Sequence, residues 1–351
     1  MDSLITAHGL TDVGGNPLKE NQDTFFTAAR AGGEVLLGVF DGHGAHGLPV
    51  ATAARDVFQG ATAEQLTDVT SLFRAADDAV REAILSRARA LGRADVRVEP
   101  DGTLVYTDAL ARRQVLQGGT TASLVRVKGL DVEVSHVGDS EVMVIHEDSR
   151  EFTVLTKDHS STSVEEWKRV ISETPVLPST YFDTAGGAYG PRGAAPRPVF
   201  TLGEEGKWVL NPAGGFYVRN VQREWAAYVS NADSTLNMFR TVGDFALRKN
   251  GVNFLPDVIQ HRLKSVGRSF VLVASDGLFD PLQYEAIRDT VLEAAAAPAA
   301  TAESITAAVL AAGLMEGKKH FGRGQDNTTV AVAVVEPRCA LEVSHGDAEA
   351  L

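Results

Sequence analysis

Residues 35–44 read VLLGVFDGHG. The first six are apolar or glycine, and a run of that length bounded by glycine is typical of a strand inside a sheet. Asp41, Gly42 and His43 follow directly. The stretch therefore predicts a carboxylate at the rim of a sheet, where the backbone is held rigid.

Two further aspartates accompany apolar runs elsewhere in the chain. Asp276 ends FVLVASD at 270–276, and Asp326 lies in GQDN at 324–327. We expect all three aspartates to lie where a strand ends. Mg²⁺ and Mn²⁺ prefer oxygen ligands, so aspartates from distant segments predict a cage for one or two such ions. The alternative is that they only form turns after strands.

Strand-like and helix-like segments are spread along the chain. Strands are predicted at 35–40, 121–127, 132–137, 141–146, 152–156, 270–275 and 329–336, with an antiparallel turn at 128–130. Apolar residues at three- and four-residue steps from Val69 to Leu85 predict a helix of about six turns. Further helices are predicted after the capping box that begins at Ser163, over 284–296 and over 302–315. Helices with one apolar face beside buried strands indicate a β-sandwich with helices packed outside it.

Nine short motifs follow one another along the chain. They are ENQD (20–23), VFDGHG (39–44), GGTTAS (118–123), HVGDSE (136–141), LTKDHS (155–160), FRTVGD (239–244), LPDV (255–258), ASDGLFD (274–280) and GQDNTTV (324–330). This series resembles the metal-dependent protein serine/threonine phosphatases of type 2C, the PPM family, from about residue 8 to about residue 336. A lone DGHG would be weak evidence, whereas nine matches in family order are specific.

The resemblance implies an α+β fold, a four-layer αββα sandwich of two antiparallel sheets flanked by helices. It implies one phosphatase domain over 1–336 that includes an enlarged flap segment at about 159–237. Glycine and proline recur over 175–215 and predict a loop or mobile subdomain, while four aromatic residues predict some packed structure: Trp208, Phe216, Tyr217 and Trp225. Residues 337–351 are expected to form a disordered tail.

The same resemblance implies roles for the acidic residues. Asp41 would bridge two Mg²⁺ or Mn²⁺ ions, with the carbonyl oxygen of Gly42 on one of them. Asp276 and Asp326 would bind the other ion. Asp23 would hold water beside the ions, and a turn-forming role is its alternative. Two such ions about 3.5–4 Å apart can activate water and neutralise a phosphate monoester.

His43 is the candidate general acid. It would protonate the leaving serine or threonine oxygen, because an alkoxide is a poor leaving group and imidazole titrates near working pH. The alternative is a zinc ligand acting with His46, but no cysteine cluster or third histidine at metal spacing supports zinc.

Supporting positions follow from the same motifs. Asp139 and Asp280 match residues that the family uses for a third, weaker ion. Asp280 has an alternative role as the N-cap of a helix, with Pro281 at N1 and Gln283 at N3. Asn327 is expected to orient the loop that carries the preceding aspartate.

Two positions depart from the family pattern. The family has a phosphate-binding arginine at the position of Leu18, and the candidate replacements here are Lys19, Arg192 and Arg197. On an extended strand Lys19 would point away from the face of residue 18, so it substitutes only if the backbone adjusts. Gln22 stands where the family usually has glutamate, which weakens metal attraction, although its amide oxygen can still accept a hydrogen bond from water.

Composition limits the classes of binding partner and the cellular compartment that we expect for the protein. A net charge of −13 and a pI near 5.2 argue against nucleic acid or an anionic membrane as the main partner. The single cysteine, Cys339, cannot form an intramolecular disulfide, so we expect a reducing compartment, the cytoplasm or alternatively the nucleus. The residues after Cys339 also lack the arginine of thiol-dependent phosphatases. Without a signal peptide or an unbroken apolar span, we expect a soluble protein. A monomer is expected as well.

Two functions of different class remain. The first is hydrolysis of phosphoserine or phosphothreonine in a phosphoprotein substrate. The second is a non-catalytic pseudophosphatase that binds a partner protein through the flap segment. The missing arginine favours the second, whereas retention of five residues favours the first: Asp41, His43, Asp276, Asp326 and Asn327.

Overall fold

A computed structural model describes residues 3–182, 198–211, 221 and 227–337. Within these ranges the strands are β1 (Ser3–Asp12), β2 (Asp23–Ala29), β3 (Glu34–His43), β4 (Ala94–Val98), β5 (Leu104–Thr107), β6 (Arg113–Val115), β7 (Gly119–Thr120), β8 (Ala122–Lys128), β9 (Asp131–Val137), β10 (Glu141–His146), β11 (Phe152–Val154), β12 (Ser179–Phe182), β13 (Phe200–Leu202), β14 (Trp208–Leu210), β15 (Ala227–Ser230), β16 (Thr235–Leu236), β17 (Val242–Gly243), β18 (Asp257–Arg262), β19 (Ser269–Ala274) and β20 (Thr328–Pro337). The α-helices are α1 (Gly47–Gly60), α2 (Val69–Ala90), α3 (Val164–Glu173), α4 (Asp276–Phe279), α5 (Tyr284–Ala295) and α6 (Ala302–Phe321).

Two antiparallel sheets form the centre of the fold. The five-stranded sheet has the order β1-β20-β19-β10-β11. The seven-stranded sheet has the order β17-β7-β3-β8-β9-β18, and β2 pairs with β3. The predicted turn at 128–130 joins β8 to β9 in antiparallel register, with Lys128 opposite Asp131.

Alternate residues of each central strand enter different apolar layers. In β3, Leu36 and Phe40 belong to a core shared with α1 and α2, whereas Leu37 and Val39 belong to the layer between the sheets. Residues of the five-stranded sheet also alternate between two layers, and those on its outer face pack with α5 and α6. Both faces of each sheet are therefore covered, which explains why the strands read as continuous apolar runs. The predicted αββα sandwich is confirmed.

The apolar stripe predicted for helix α2 is largely buried, and one polar residue is buried with it. The Asp68 carboxylate caps the first turn of the helix by accepting a hydrogen bond from the Ser71 amide at 3.1 Å. Six of the seven stripe residues are buried: Leu72, Phe73, Ala76, Val80, Ile84 and Leu85. Asp77 is buried among them, which apolar periodicity alone did not predict.

The expectation that each key aspartate ends a strand is wrong for two of the three. Asp41 lies inside β3, because the strand continues to His43 by pairing with β7. Asp326 lies before β20 rather than after a strand. Asp276 is the first residue of α4, two positions after β19 ends.

The predicted N-cap role of Asp280 is also wrong. Its backbone is helical, and its amide donates to the Asp276 carbonyl at 2.7 Å, so Asp280 closes α4 instead of starting α5. Gln283, with extended backbone, precedes the first residue of α5.

The described part of the flap segment is structured. Helix α3 is capped by Ser163, and the two small sheets are β12-β15-β16 and β13-β14, so strands occupy part of the predicted loop at 175–215. Trp167 stacks on Phe200 at 5.0 Å between ring centres and meets Trp208 edge-on at 5.8 Å. Phe216, Tyr217, Trp225, Arg192 and Arg197 lie outside the described residues, as does the predicted tail beyond Pro337, the last residue of β20.

In the part of the chain that the structure describes, no helix is both long enough and apolar enough to cross a bilayer.

Candidate metal centre

Two carboxylates face each other across the β2–β3 ladder. Asp23 pairs in register with Asp41. Asp23 is buried, and its Oδ2 accepts a hydrogen bond from the Ser275 hydroxyl at 2.7 Å. Its Oδ1 is buried with no hydrogen-bond partner in the described part of the chain. A buried carboxylate oxygen of this kind suits a water or a cation.

The electrostatics of the pair show how closely acidic groups converge. Burial raises the pKa of Asp41 well above its usual range, and the charges of Asp23, Asp276, Asp326 and Asp139 raise it further. Burial also raises the pKa of Asp23 to about 6, although the hydrogen bond from Ser275 acts in the opposite direction. Like charges held together in this way favour a compensating cation.

The loops of Asp276 and Asp326 are brought together by β19 and β20. The Ser275 amide donates to the Thr329 carbonyl at 3.0 Å, and the Thr329 amide donates to the Ser275 hydroxyl at 3.0 Å. A Cβ on Gly277 would lie 1.9 Å from the Asn327 carbonyl oxygen. The two segments are therefore in backbone contact at the residues that follow Asp276 and Asp326.

Gly42 is glycine for a packing reason. A Cβ there would lie 2.5 Å from the Gly47 carbonyl oxygen and 2.6 Å from that of Gln22. The close approach of these backbones leaves room for no side chain.

Gln22 and Asn327 tie the same segments together. The Asn327 side chain accepts from the Gln22 amide at 2.8 Å and donates to the Val13 carbonyl at 2.9 Å. The Gln22 side chain donates to the Gly44 carbonyl at 3.0 Å. Both side chains thus brace the loops on either side of Asp41.

His43 has an acidic partner that the sequence did not reveal. Its Nε2 lies 2.6 Å from Oδ2 of Asp244, which is buried. Burial would lower the pKa of His43, but the charge and hydrogen bond of Asp244 outweigh burial, and the pKa is raised. The ring is therefore held toward its protonated form.

The two candidate ligands for a third ion lie in different surroundings. Asp139 is buried, and its Oδ2 accepts a hydrogen bond from the Asn237 side chain at 3.1 Å. Asp280 is half-buried, four residues after Asp276, a spacing that places side chains on one helix face. Asn237 lies at the end of the flap segment and connects it to the acidic cluster.

A second group of possible metal ligands contains none of these aspartates. Among the described residues, His136, His159 and Asp257 are the one set whose candidate ligand atoms all fall within 4.8 Å of one another. Within the described part of the chain, the aspartates around Asp41 do not form a set this compact.

Hydrogen bonding argues against a metal in this second group. The Nδ1 of His159 accepts from the Gly138 amide at 3.1 Å, so the neutral ring carries its proton on Nε2, the atom that would have to bind metal. That Nε2 lies 3.3 Å from the Asp257 carboxylate. Burial, reinforced by His159, lowers the pKa of His136 to about 3, so that ring is neutral. A neutral imidazole can bind a metal, so it is the hydrogen bonding of His159 that opposes a metal here.

The segment around Leu18 is a turn, and the expectation of an extended strand is wrong. The Asn16 side chain accepts from the Leu18 amide at 3.1 Å, and the Asn16 carbonyl accepts from the Lys19 amide at 3.0 Å. Leu18 is 94% exposed, and Lys19 is exposed beside it. Lys19 therefore need not point away from the face of residue 18, because that expectation assumed an extended strand.

Three residues of the site were not predicted from the sequence: Ser275, Asp244 and Asn237. The first two lie inside the quoted motifs, so motif membership was the available signal. Their roles depend on contacts between distant segments, which spacing along the chain does not report.

The four-layer sandwich and its acidic rim define the class of fold. The family model for protein phosphatase 2C matches residues 19–317. The chain belongs to the protein phosphatase 2C family.

Two relatives illustrate the similarity. Probable protein phosphatase 2C 6 of Arabidopsis thaliana is 26% identical over 300 residues, which are 79% of this chain and 54% of that protein. Probable protein phosphatase 2C 64 of Oryza sativa subsp. japonica is 29% identical over 274 residues, which are 77% of this chain and 53% of that protein. The chain thus spans about half the length of these curated relatives.

Solved structures share the fold at low identity. Serine-threonine phosphatase 2C from Toxoplasma gondii superposes with a TM-score of 0.57 at 17% identity, covering 95% of each chain. The catalytic domain of the serine threonine protein phosphatase PstP, in complex with two manganese ions, gives 0.50 at 19% identity, covering 95% of this chain and 100% of that one.

Proposed function

We propose that this chain is a phosphatase that hydrolyses phosphoserine and phosphothreonine in proteins and depends on Mg²⁺ or Mn²⁺. The observation that carries the proposal is that Asp23 pairs in register with Asp41 and accepts a hydrogen bond from Ser275, the residue before Asp276. The segments of Asp276 and Asp326 are themselves in backbone contact. Such an arrangement stores electrostatic repulsion that divalent cations relieve.

The residues present fit two cations. Asp41, Asp276 and Asp326 supply hard oxygen ligands, and the carbonyl oxygen of Gly42 adds a neutral one. Asp23 would hold water beside the cations through its buried Oδ1, which has no hydrogen-bond partner among the described residues. When bound, two cations supply a nucleophile at neutral pH and offset the charge of the phosphate. Asp139 and Asp280 are the proposed ligands of a third, weaker cation.

His43 is the proposed general acid. It lies two residues after Asp41 on the same strand, so its ring is fixed to the element that carries the central carboxylate. A protonated imidazole there can deliver a proton to the serine or threonine oxygen as the oxygen–phosphorus bond breaks.

Phosphate binding needs a cationic group that replaces the family arginine. Lys19, Arg192 and Arg197 are the candidates, and Lys19 is favoured by its position in a turn rather than on a strand. A lysine supplies charge without the bidentate geometry of arginine.

The second candidate function is a pseudophosphatase that binds a partner protein through the flap segment. The exposed Leu18 is the observation that favours it, since an apolar side chain there cannot grip a phosphate. The intact acidic cluster favours catalysis instead.

Phosphate release separates the two functions. The substrates are p-nitrophenyl phosphate and a phosphothreonine peptide, each with Mn²⁺, with Mg²⁺ and with EDTA. Turnover with either ion and none with EDTA supports the phosphatase. No turnover under any condition, with Mn²⁺ still bound, supports the pseudophosphatase.

A further inference from the structure

We propose that Asp244 is a positioning residue for His43, which fixes the ring proton at Nε2 and so leaves Nδ1 as the atom that protonates the leaving oxygen. This inference rests on the proposed phosphatase function and assigns its acid a specific atom and partner.

The contact itself sets the direction of the hydrogen bond. The His43 Nε2 and the Asp244 Oδ2 are 2.6 Å apart. An ionised carboxylate can only accept, so Nε2 must carry the donated proton. The Asp244 side chain is 5% exposed and that of His43 is 26% exposed, so water competes poorly at the carboxylate end while the ring keeps an open side.

Hydrogen bonds from Asp244 and from the residue before it hold the backbone of Asp244 in place. It adopts a left-handed conformation, with φ 49° and ψ 44°, which is uncommon for a residue other than glycine. Its amide donates to the Gly118 carbonyl at 3.0 Å. The preceding amide, of Gly243, donates to Oδ1 of Asp77 at 2.9 Å, and Arg248 pairs with the same carboxylate. The buried acid of α2 therefore fixes the turn that presents Asp244.

Gly119 makes room for the contact. A Cβ at this position would lie 1.9 Å from Asp244 Oδ2 and 2.6 Å from His43 Nε2. Gly119 is also the register partner of His43 across β3 and β7. The strand pairing thus places a residue without a side chain where the carboxylate and the imidazole meet.

This orientation determines which ring nitrogen of His43 gives up its proton and regains it. In the imidazolium form, Nε2–H stays bound to Asp244 and Nδ1–H is free to donate. As the oxygen–phosphorus bond breaks, the electron pair on the leaving oxygen takes the Nδ1 proton. The ring becomes neutral with Nε2–H still held, which is the tautomer that a carboxylate partner selects. Solvent then returns a proton to Nδ1.

A double-mutant cycle tests whether Asp244 acts through His43. We expect Asp244→Asn to lower kcat on a phosphothreonine peptide by about 10²-fold with KM little changed, since general acid catalysis is worth about 10²–10⁴. In a His43→Ala background the same substitution should not lower kcat further, because the imidazole through which Asp244 acts is already absent. Asp131→Asn, at an exposed ion pair with Arg262, is the control and should match the parent enzyme.

An equal loss from Asp244→Asn in both backgrounds would overturn the proposal. It would assign Asp244 a structural role independent of the imidazole. If the unmodified chain releases no phosphate at all, the phosphatase function fails, and the contact is judged by a readout that needs no turnover.

That readout is the tautomer of the neutral His43 ring in ¹⁵N-histidine-labelled protein, recorded at a pH high enough to deprotonate the imidazolium, with the signal assigned by its loss in His43→Ala. Two-bond ¹H–¹⁵N correlation spectra should show Nε2 protonated in the parent protein, and this preference should weaken in Asp244→Asn. Gly119→Ala, whose methyl group would separate the two side chains, should weaken it as well. Gly60→Ala, where a Cβ meets nothing within 4 Å, should not. An unprotonated Nε2 in the parent, or spectra unchanged by both test variants, would contradict the proposal.

Discussion

Asp23 and Asp41 occupy one register position of the β2–β3 ladder, so two acidic side chains lie directly opposite each other on one face of the sheet. Directly opposed side chains have Cβ atoms about 4.5–5.5 Å apart, and like charges in that arrangement are destabilising. The fold therefore contains a repulsion at its acidic rim that cations can offset.

Removing one charge should stabilise the metal-free protein. We expect Asp41→Asn to raise the melting temperature in EDTA by on the order of 2 °C, because opposed like charges cost up to about 1 kcal/mol. The same variant should lose the rise in melting temperature that Mn²⁺ gives the parent protein, since a ligand stabilises only the state that binds it. Differential scanning calorimetry with and without Mn²⁺ measures both.

Asp131→Asn is the control for that comparison because its carboxylate is exposed. It should keep the response to Mn²⁺. A variant at position 41 that melts lower than the parent in EDTA, yet still responds to Mn²⁺, would mean that Asp41 serves packing rather than the cation site.

The leaving group should decide how much His43 matters. On a phosphoserine peptide we expect His43→Ala to lower kcat by roughly 10²–10⁴, because the alkoxide needs a proton as it departs. The loss should shrink on p-nitrophenyl phosphate, whose leaving group is stable as an anion. Steady-state kinetics on both substrates give the comparison, and equal losses would make His43 a structural residue.

The phosphate-binding site should respond to restoring the family arginine. We expect a high KM for small substrates in the parent enzyme and a lower KM in Leu18→Arg, since a guanidinium binds phosphate in a bidentate fork. Lys19→Ala should raise KM if that lysine now serves, and Arg192→Ala with Arg197→Ala should raise it if the flap segment does. KM values unchanged in all these variants would show that no side-chain cation compensates.

The flap segment should depend on a buried carboxylate at its first helix. Glu166 binds Arg240 at 2.6 Å and Arg169 at 2.9 Å. Burial would raise the pKa of Glu166, but these arginines outweigh burial and lower it. A lowered folded pKa contributes stability that is present above the unfolded value, about 4.3, and is lost as pH falls through the folded value.

Glu166→Gln should therefore cost about 1.5–3 kcal/mol at pH 7, the contribution of a hydrogen bond to a charged group. The cost should shrink as pH falls from about 5 towards 3. Urea unfolding at pH 7 and pH 4 measures it, with Glu165→Gln as the control because that side chain is 79% exposed. A cost that is the same at both pH values would show that the charge of Glu166 is not what stabilises the helix.

Seven strands of the two central sheets, and the sandwich they form, could be predicted because their signals are local. Runs such as 35–40 and 270–275 are apolar on both faces, and the layers on either side of each sheet account for that. The stripe of α2 was visible for the same reason. The end of β3 was not, since His43 remains in the strand only through its pairing with Gly119.

The site was predictable in its residue types but not in its contacts. The motifs contain the aspartates and His43, yet the partner of His43 lies 201 residues away. Asp280 looked like an N-cap because Asp-Pro commonly starts helices, whereas its amide completes the turn that begins at Asp276. The turn of Asn16 likewise overrides the strand expected around Leu18.

Isothermal titration with Mn²⁺, on the parent chain and on Asp41→Ala, asks whether the acidic cluster holds cations. Two ions should bind the parent, with weaker binding of a third, and the alanine variant should bind neither of the two tight ions, because the carboxylate proposed to bridge them is gone. Wild-type stoichiometry in Asp41→Ala, or no binding by the parent, would contradict the proposed metal centre.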